Sequence, residues 1–125
     1  MIIPDLLTVL CQFENGAEGV LEFSGVDALA PSDRLEIYGS AGTLTYDFGS
    51  EVVQAGKIGD RALHVVDLAP ELEGEWRVEE DFLAAVKSRG RVRPRPNFEE
   101  GVRYMRVVQA VADSRARNEW VEIKK

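Results

Sequence analysis

The amino-acid sequence predicts an α+β fold: a mixed, mostly antiparallel sheet of about six to seven strands with two helices packed on one face. Up to about residue 68, short apolar runs alternate with a period of two, and the turns between them are too short for parallel crossovers. From Val78 onward the apolar residues recur with a helical period. The length of 125 residues fits one domain, so residues 1–125 are predicted to form a single domain.

Two hairpins are predicted in the first half of the chain. Leu6–Phe13 and Gly19–Ser24 flank the turn signal Glu14-Asn15-Gly16 and form the first hairpin. Asp33–Asp47, with the sequence DRLEIYGSAGTLTYD, forms the second hairpin around the turn Gly39-Ser40-Ala41-Gly42. Alternation gives the second hairpin one apolar face, which carries Leu35, Ile37, Leu44 and Tyr46. The opposite, polar face carries Glu36, Tyr38, Thr43 and Thr45.

Three further strands are predicted from shorter alternating runs. The first lies around Val52 and Val53 and is followed by a turn over residues 56–60. The second spans Ala62–Leu68, and the last spans Trp120–Ile123 at the end of the chain.

Two helices are predicted in the second half. The first begins at Val78 with acidic residues in its first turn and stops at Gly90. The second spans Phe98–Arg117 behind the N-cap residue Asn97. Gly101 lowers the helix propensity of this segment by about 1 kcal/mol, so we expect another backbone to approach it closely.

Composition limits the classes of function. The net charge of −7 argues against a surface built mainly for nucleic acid or anionic lipid. The single cysteine permits no internal disulfide, which suits a reducing cytoplasm. No apolar run approaches the length of a membrane span, and the N-terminus lacks the pattern of a signal peptide. A cytoplasmic protein without membrane or nucleic-acid partners is therefore predicted.

The usual catalytic and metal-binding patterns are missing from the sequence. One Cys and one His cannot supply a structural zinc site, so no metal site is predicted. Cys11 shares a strand face with apolar residues and is interpreted as an inert thiol, and His64 lies in a strand with no carboxylate beside it. The two glycines at 39 and 42 join two strands and are followed by no lysine, unlike a phosphate-binding loop. No catalytic and no cofactor-binding residue is assigned in this chain.

One electrostatic feature stands out. Five cations lie within nine residues of an otherwise acidic protein, namely Lys87, Arg89, Arg91, Arg93 and Arg95. We interpret this run as a solvated loop or a subunit contact. Binding of a phosphate- or carboxylate-bearing partner is the alternative, although no aromatic residue is interleaved with the run for base stacking.

Four segments carry a recognisable pattern in order along the chain: FENGAEGVLEFS, LEIYGSAGTLTYD, EEDFLAAVKSRG and FEEGVRYMRVVQAVADSRARNEWVEI. Taken together, they resemble the C-terminal part of the Gfo/Idh/MocA family of NAD(P)-dependent oxidoreductases. The positions that fit the family patterns are Asp5, Asn15-Gly16, Gly19, Glu36, Gly39, Gly42, Phe82, Pro94, Gly101, Val108, Ala110 and Ser114. The chain departs from the patterns at Glu100, where the family usually has Asp, and at Gln109, where it often has Glu.

The resemblance implies a fragment or truncated form of a dehydrogenase acting on a sugar, an inositol or a related polyol. This chain would begin downstream of the N-terminal Rossmann domain and of the catalytic Lys, so it would bind no cofactor itself, while NAD or NADP would serve the full-length enzyme. It would hold the substrate-binding and oligomerisation domain, inactive alone, and form a homo-oligomer through its sheet face. Trp76 and Arg77 fall near a position that often faces the substrate in the family. The alternative function is a stand-alone interaction module that uses residues 87–95 or an exposed sheet face.

Overall fold

The computed structural model describes residues 4–30, 33–69, 72, 74 and 76–124. Its regular elements follow the predicted order, with six strands before two helices. The strands are β1 (Leu6–Gln12), β2 (Glu18–Ser24), β3 (Arg34–Gly39), β4 (Gly42–Asp47), β5 (Val52–Lys57) and β6 (His64–Val65). The helices are α1 (Val78–Lys87) and α2 (Phe98–Arg117). The predicted α+β class, with about six strands and two helices, is confirmed.

The strands form two antiparallel sheets, whereas the sequence predicts one sheet. Strands β1 and β2 form a two-stranded sheet, and β3, β4, β5 and β6 pair in chain order in a four-stranded sheet. Every pairing joins neighbours in the sequence. Alternation identifies the face on which a residue lies but not the strand that lies beside it, so it cannot decide whether the two hairpins are joined.

The register of the second hairpin confirms its two predicted faces. Leu35 lies opposite Tyr46 and Ile37 lies opposite Leu44, which places the four apolar side chains on one face. Strand β5 continues this face, because Ala55 lies opposite Leu44. We call the resulting surface of the four-stranded sheet the apolar face, and it carries Leu35, Ile37, Leu44, Tyr46, Val53 and Ala55.

Gly42 permits a close backbone approach at the start of β4. Gly39 and Gly42 form the last pair of the hairpin, and Ser40 and Ala41 make the turn between them. A Cβ atom at Gly42 would collide with the carbonyl oxygen of Gly56 and would lie 2.9 Å from Cα of Lys57. A Cβ atom at Gly39 would instead lie 3.7 Å from the carbonyl oxygen of Gly42, an ordinary contact. The two glycines of the turn are therefore not equivalent.

The structure differs from the sequence prediction at one turn and at two strands. The predicted turn at 56–60 begins later, because β5 continues through Gly56 to Lys57. The predicted strand Ala62–Leu68 is reduced to the two residues of β6. Residues 120–123 form no strand, and the backbone carbonyl of Lys124 instead accepts a hydrogen bond of 3.2 Å from Nη1 of Arg106 in α2. A segment with alternating apolar residues becomes a strand only where another strand lies beside it to accept and donate backbone hydrogen bonds.

Hydrogen bonds to the backbone mark the end of α1 and the start of α2. At the end of α1, the N–H of Gly90 donates to the carbonyl of Ala85 (2.9 Å) and the N–H of Arg89 donates to that of Val86 (3.0 Å), which is a Schellman motif. The left-handed position is held by Arg89, with φ 54°, and the predicted stop Gly90 follows it. At the start of α2, Asn97 is the predicted N-cap and forms a capping box with Glu100.

No described residue is buried, so the apolar stripes of the elements remain uncovered. The chain divides into two units, Met1–Gly74 with the sheets and Glu75–Lys125 with the helices. Within the second unit α1 and α2 make no extensive contact with each other. A Cβ atom at Gly101 would have no described atom within 4 Å outside its own helix backbone, so the expected backbone approach is not observed. No helix among the described residues is long and apolar enough to cross a membrane.

Substitution of Gly42 by alanine should disrupt the pairing of β4 with β5. The new Cβ atom would collide with backbone atoms of Gly56 and Lys57, so the two strands would have to move apart. We expect Gly42→Ala to lose strand signal in the far-ultraviolet circular dichroism spectrum and to lose amide protection in β4 and β5. Gly39→Ala is the matched control and should keep both. Equal behaviour of the two variants would show that the close approach at Gly42 has no structural effect.

Candidate functional site

Trp76 and Arg77, the two substrate-side candidates, lie at the beginning of α1. Arg77 is the residue before the helix, and its carbonyl accepts the hydrogen bond of 2.9 Å from the N–H of Asp81. Trp76 precedes it and is 80% exposed. The position of both side chains is thus set by the first turn of the helix.

Each candidate side chain contacts a carboxylate three residues further along the chain. The indole Nε1 of Trp76 donates a hydrogen bond of 2.7 Å to Oε2 of Glu79. The Nε of Arg77 lies 3.4 Å from Oε2 of Glu80. Both side chains of this ion pair are more than half exposed, so the pair stabilises the helix start by at most about 1 kcal/mol. The sequence did show the acidic first turn, which also suits the positive end of the helix dipole.

The side chains at this helix start offer an aromatic surface, hydrogen-bond donors and carboxylate acceptors. The free face of the Trp76 indole offers a flat apolar surface, and the Arg77 guanidinium offers fixed hydrogen-bond donors. The Glu79 carboxylate holds the indole by its nitrogen and has acceptor capacity left for a hydroxyl group.

Cys11 and His64 lie apart from this pair in the chain, in the first unit. Cys11 is half-buried on β1, and its Sγ donates a weak hydrogen bond of 3.5 Å to the carbonyl of Gly19 on β2. This setting agrees with an inert thiol. His64 lies on the short strand β6 opposite Ala55. The described part of the chain contains no group of three His, Cys, Asp or Glu residues able to hold a metal ion.

A polar ladder along β3 was not foreseen in the sequence. Glu36 accepts a hydrogen bond of 2.8 Å from the phenol of Tyr38 and lies 3.3 Å from Nε of Arg34, so one carboxylate serves both neighbours on its face. The signal was present as Arg, Glu and Tyr at every second position, which alternation places side by side. The pairing itself depends on side-chain rotamers that alternation does not specify.

The ladder raises the pKa of the Tyr38 phenol. The hydrogen bond to Glu36 is the main cause, the negative charge of that carboxylate is the second, and Arg34 opposes them. A raised pKa in the folded state means that this contribution to stability is fully present below the ordinary tyrosine pKa of about 10. It is lost as the pH rises through the folded value.

Comparisons of the chain with protein-family models, with curated proteins and with solved structures found no match.

The pKa of Tyr38 should fall toward its ordinary value when Glu36 is replaced by glutamine, because the charge that opposes ionisation is removed. The measurement is a titration of phenolate absorbance, from which the curve of Tyr38→Phe is subtracted to isolate Tyr38. Identical Tyr38 curves for the wild type and Glu36→Gln would contradict the ladder.

Proposed function

We propose that the chain is the substrate-binding and oligomerisation part of an NAD(P)-dependent oxidoreductase of the Gfo/Idh/MocA type, inactive alone. The support from the sequence is the ordered set of four family-like segments. In the structure, LEIYG falls on β3 and GTLTY on β4, while EEDFLAAVK falls on α1. The glycine at the start of β4, one of the positions that carries the resemblance, is the one at which a side chain would collide with β5.

The observation that carries the proposal is the uncovered apolar face of the four-stranded sheet. Ile37, on the edge strand β3, is 53% exposed, and Leu35 and Leu44 are exposed beside it. Contiguous apolar surfaces of this kind are typical of protein–protein contacts. We propose that the face pairs with its counterpart in a second subunit.

The reaction of the full-length enzyme would be hydride transfer between NAD or NADP and a sugar, an inositol or a related polyol. The cofactor domain and the catalytic lysine would come from residues outside this chain. Within this chain, Trp76 and Arg77 would contact the substrate through the indole face and the guanidinium. We also propose a cytoplasmic location, in keeping with a single, unpaired cysteine.

The isolated chain should bind neither NADH nor NADPH, because no phosphate-binding loop is present in its sequence. The measurement is the fluorescence of the reduced nicotinamide during titration with the 125-residue chain. Binding with a Kd below about 1 mM would contradict the proposal that the cofactor is bound by residues outside this chain. The coding sequence upstream of Met1 provides an independent check: a strand followed by a glycine fingerprint there supports the proposal, and an upstream stop codon contradicts it.

Self-association of the chain should depend on the apolar face. Ile37→Arg places a charge on this face, so we expect the mass measured by sedimentation equilibrium to fall toward that of the monomer. Thr45→Arg adds the same charge on the opposite face of β4 and should leave the mass unchanged. A wild-type chain that is monomeric at all accessible concentrations, or equal effects of the two variants, would exclude the apolar face as the subunit contact.

A second candidate function is a stand-alone interaction module that binds a partner through residues 87–95 or an exposed sheet face. The specific observation in its favour is that, among the described residues, four of the five cations in this run have no carboxylate oxygen within 4.0 Å.

A further inference from the structure

The basic linker, defined as residues Lys87–Arg95, is fixed near both ends by hydrogen bonds from backbone N–H groups to backbone and side-chain oxygens. Its first residues leave α1 through the Schellman motif, and the hydroxyl of Ser88 accepts a hydrogen bond of 2.9 Å from the N–H of Val92. Two residues after the linker, the capping box of Asn97 begins α2. The backbone between these anchors is restricted further by Pro94 and Pro96. The linker therefore presents its charges from a constrained backbone.

Most of the linker charge is not neutralised within the described chain. Arg93 lies 3.7 Å from Glu99, and both side chains are about three-quarters exposed, so this contact is weak. The other four cations, Lys87, Arg89, Arg91 and Arg95, have no carboxylate oxygen of a described residue within 4.0 Å. All five are exposed to solvent. Like charges within nine residues of one another repel, and an anionic partner would reduce this repulsion.

The charge of the whole chain is distributed unevenly. Residues 1–74 contain 13 acidic and 3 basic residues, whereas residues 75–125 contain 9 acidic and 12 basic residues. The net charge is therefore −10 in the first part and +3 in the second, which together give the total of −7. The acidic residues of the first part would repel a long polyanion, such as a nucleic acid or an anionic membrane, at low salt. A short acidic segment would meet only the linker.

The apolar neighbours of the linker favour a polypeptide partner over a phosphate polymer. Phe98, three residues past the last arginine, is 93% exposed, and Val92 within the linker is exposed as well. Arginine and aromatic side chains together are the composition enriched at the centres of protein–protein interfaces. The planar guanidinium also pairs with a carboxylate through two parallel hydrogen bonds.

We propose that the basic linker, together with Phe98, is a docking surface for an acidic polypeptide segment that carries an apolar side chain. The carboxylates of the segment pair with Arg89, Arg91 and Arg95, and its apolar side chain packs on Phe98. This surface is independent of the proposed oxidoreductase chemistry, because none of its residues is assigned to a substrate or a cofactor.

The test is fluorescence anisotropy with the 125-residue chain and a dye-labelled peptide of Glu and Asp with one central Leu. The peptide needs about ten residues to match the length of the linker at roughly 3.3 Å per residue. The triple variant Arg89→Gln, Arg91→Gln, Arg95→Gln should weaken binding by about tenfold or more, since three charge-assisted contacts are lost. Phe98→Ala should weaken binding without reducing its dependence on salt.

The matched control removes the same amount of charge elsewhere, in the triple variant Arg61→Gln, Arg103→Gln, Lys124→Gln, and should bind the peptide like the wild type. Equal losses in the two triple variants would overturn the proposal, because binding would then follow net charge alone. No binding of the peptide by the wild type would also overturn it. So would tighter binding of a single-stranded RNA or of anionic vesicles at equal charge, since either result would assign the linker to a phosphate-bearing partner.

Discussion

The cross-strand register of β3, β4 and β5 is the constraint on which the rest of the first unit depends. The register begins at the pair Gly39 and Gly42 and is carried to β5 by the close backbone approach at Gly42. A slip of one residue would exchange the two faces of the affected strand. The apolar face and the ladder of Arg34, Glu36 and Tyr38 would then both be lost. The close approach at Gly42 thus helps to fix which side chains lie on the apolar face and which lie on the polar face.

The exposed apolar face of the four-stranded sheet is the surface proposed for contact with a second subunit. Full burial of a Leu or Ile side chain stabilises a protein by about 1.5–3 kcal/mol, and Leu35, Ile37 and Leu44 keep much of their surface in water. Covering the apolar face would thus supply several kcal/mol toward association before the entropic cost of binding is met. The subunit contact proposed for this face would draw on that gain.

The apolar face and the basic linker are chemically different surfaces and respond differently to the solvent. Hydrophobic association persists as salt is added, whereas contacts between exposed charges weaken because the Debye length falls to roughly 3 Å at 1 M salt. The two surfaces also lie in different units of the chain. The proposed partner of the basic linker and the proposed second copy on the apolar face can therefore be tested separately.

Local patterns in the sequence determined the two hairpins, the faces of the second hairpin and the helix ends. Alternation located the second hairpin and its turn, and Asn97 was identified as a cap because its side chain bonds to a backbone group three residues away. At the site, the sequence supplied Trp76 and Arg77, and the helical turn supplied their partners Glu79 and Glu80. Only the tertiary structure decided that the strands form two sheets, that β6 has two residues, that residues 120–123 form no strand, and that Glu36 joins Arg34 to Tyr38. The reason is physical: caps and faces depend on backbone geometry within a few residues. Alternation does not specify which strand lies beside which, how far a pairing extends, or which side-chain rotamers bring Glu36 to its neighbours.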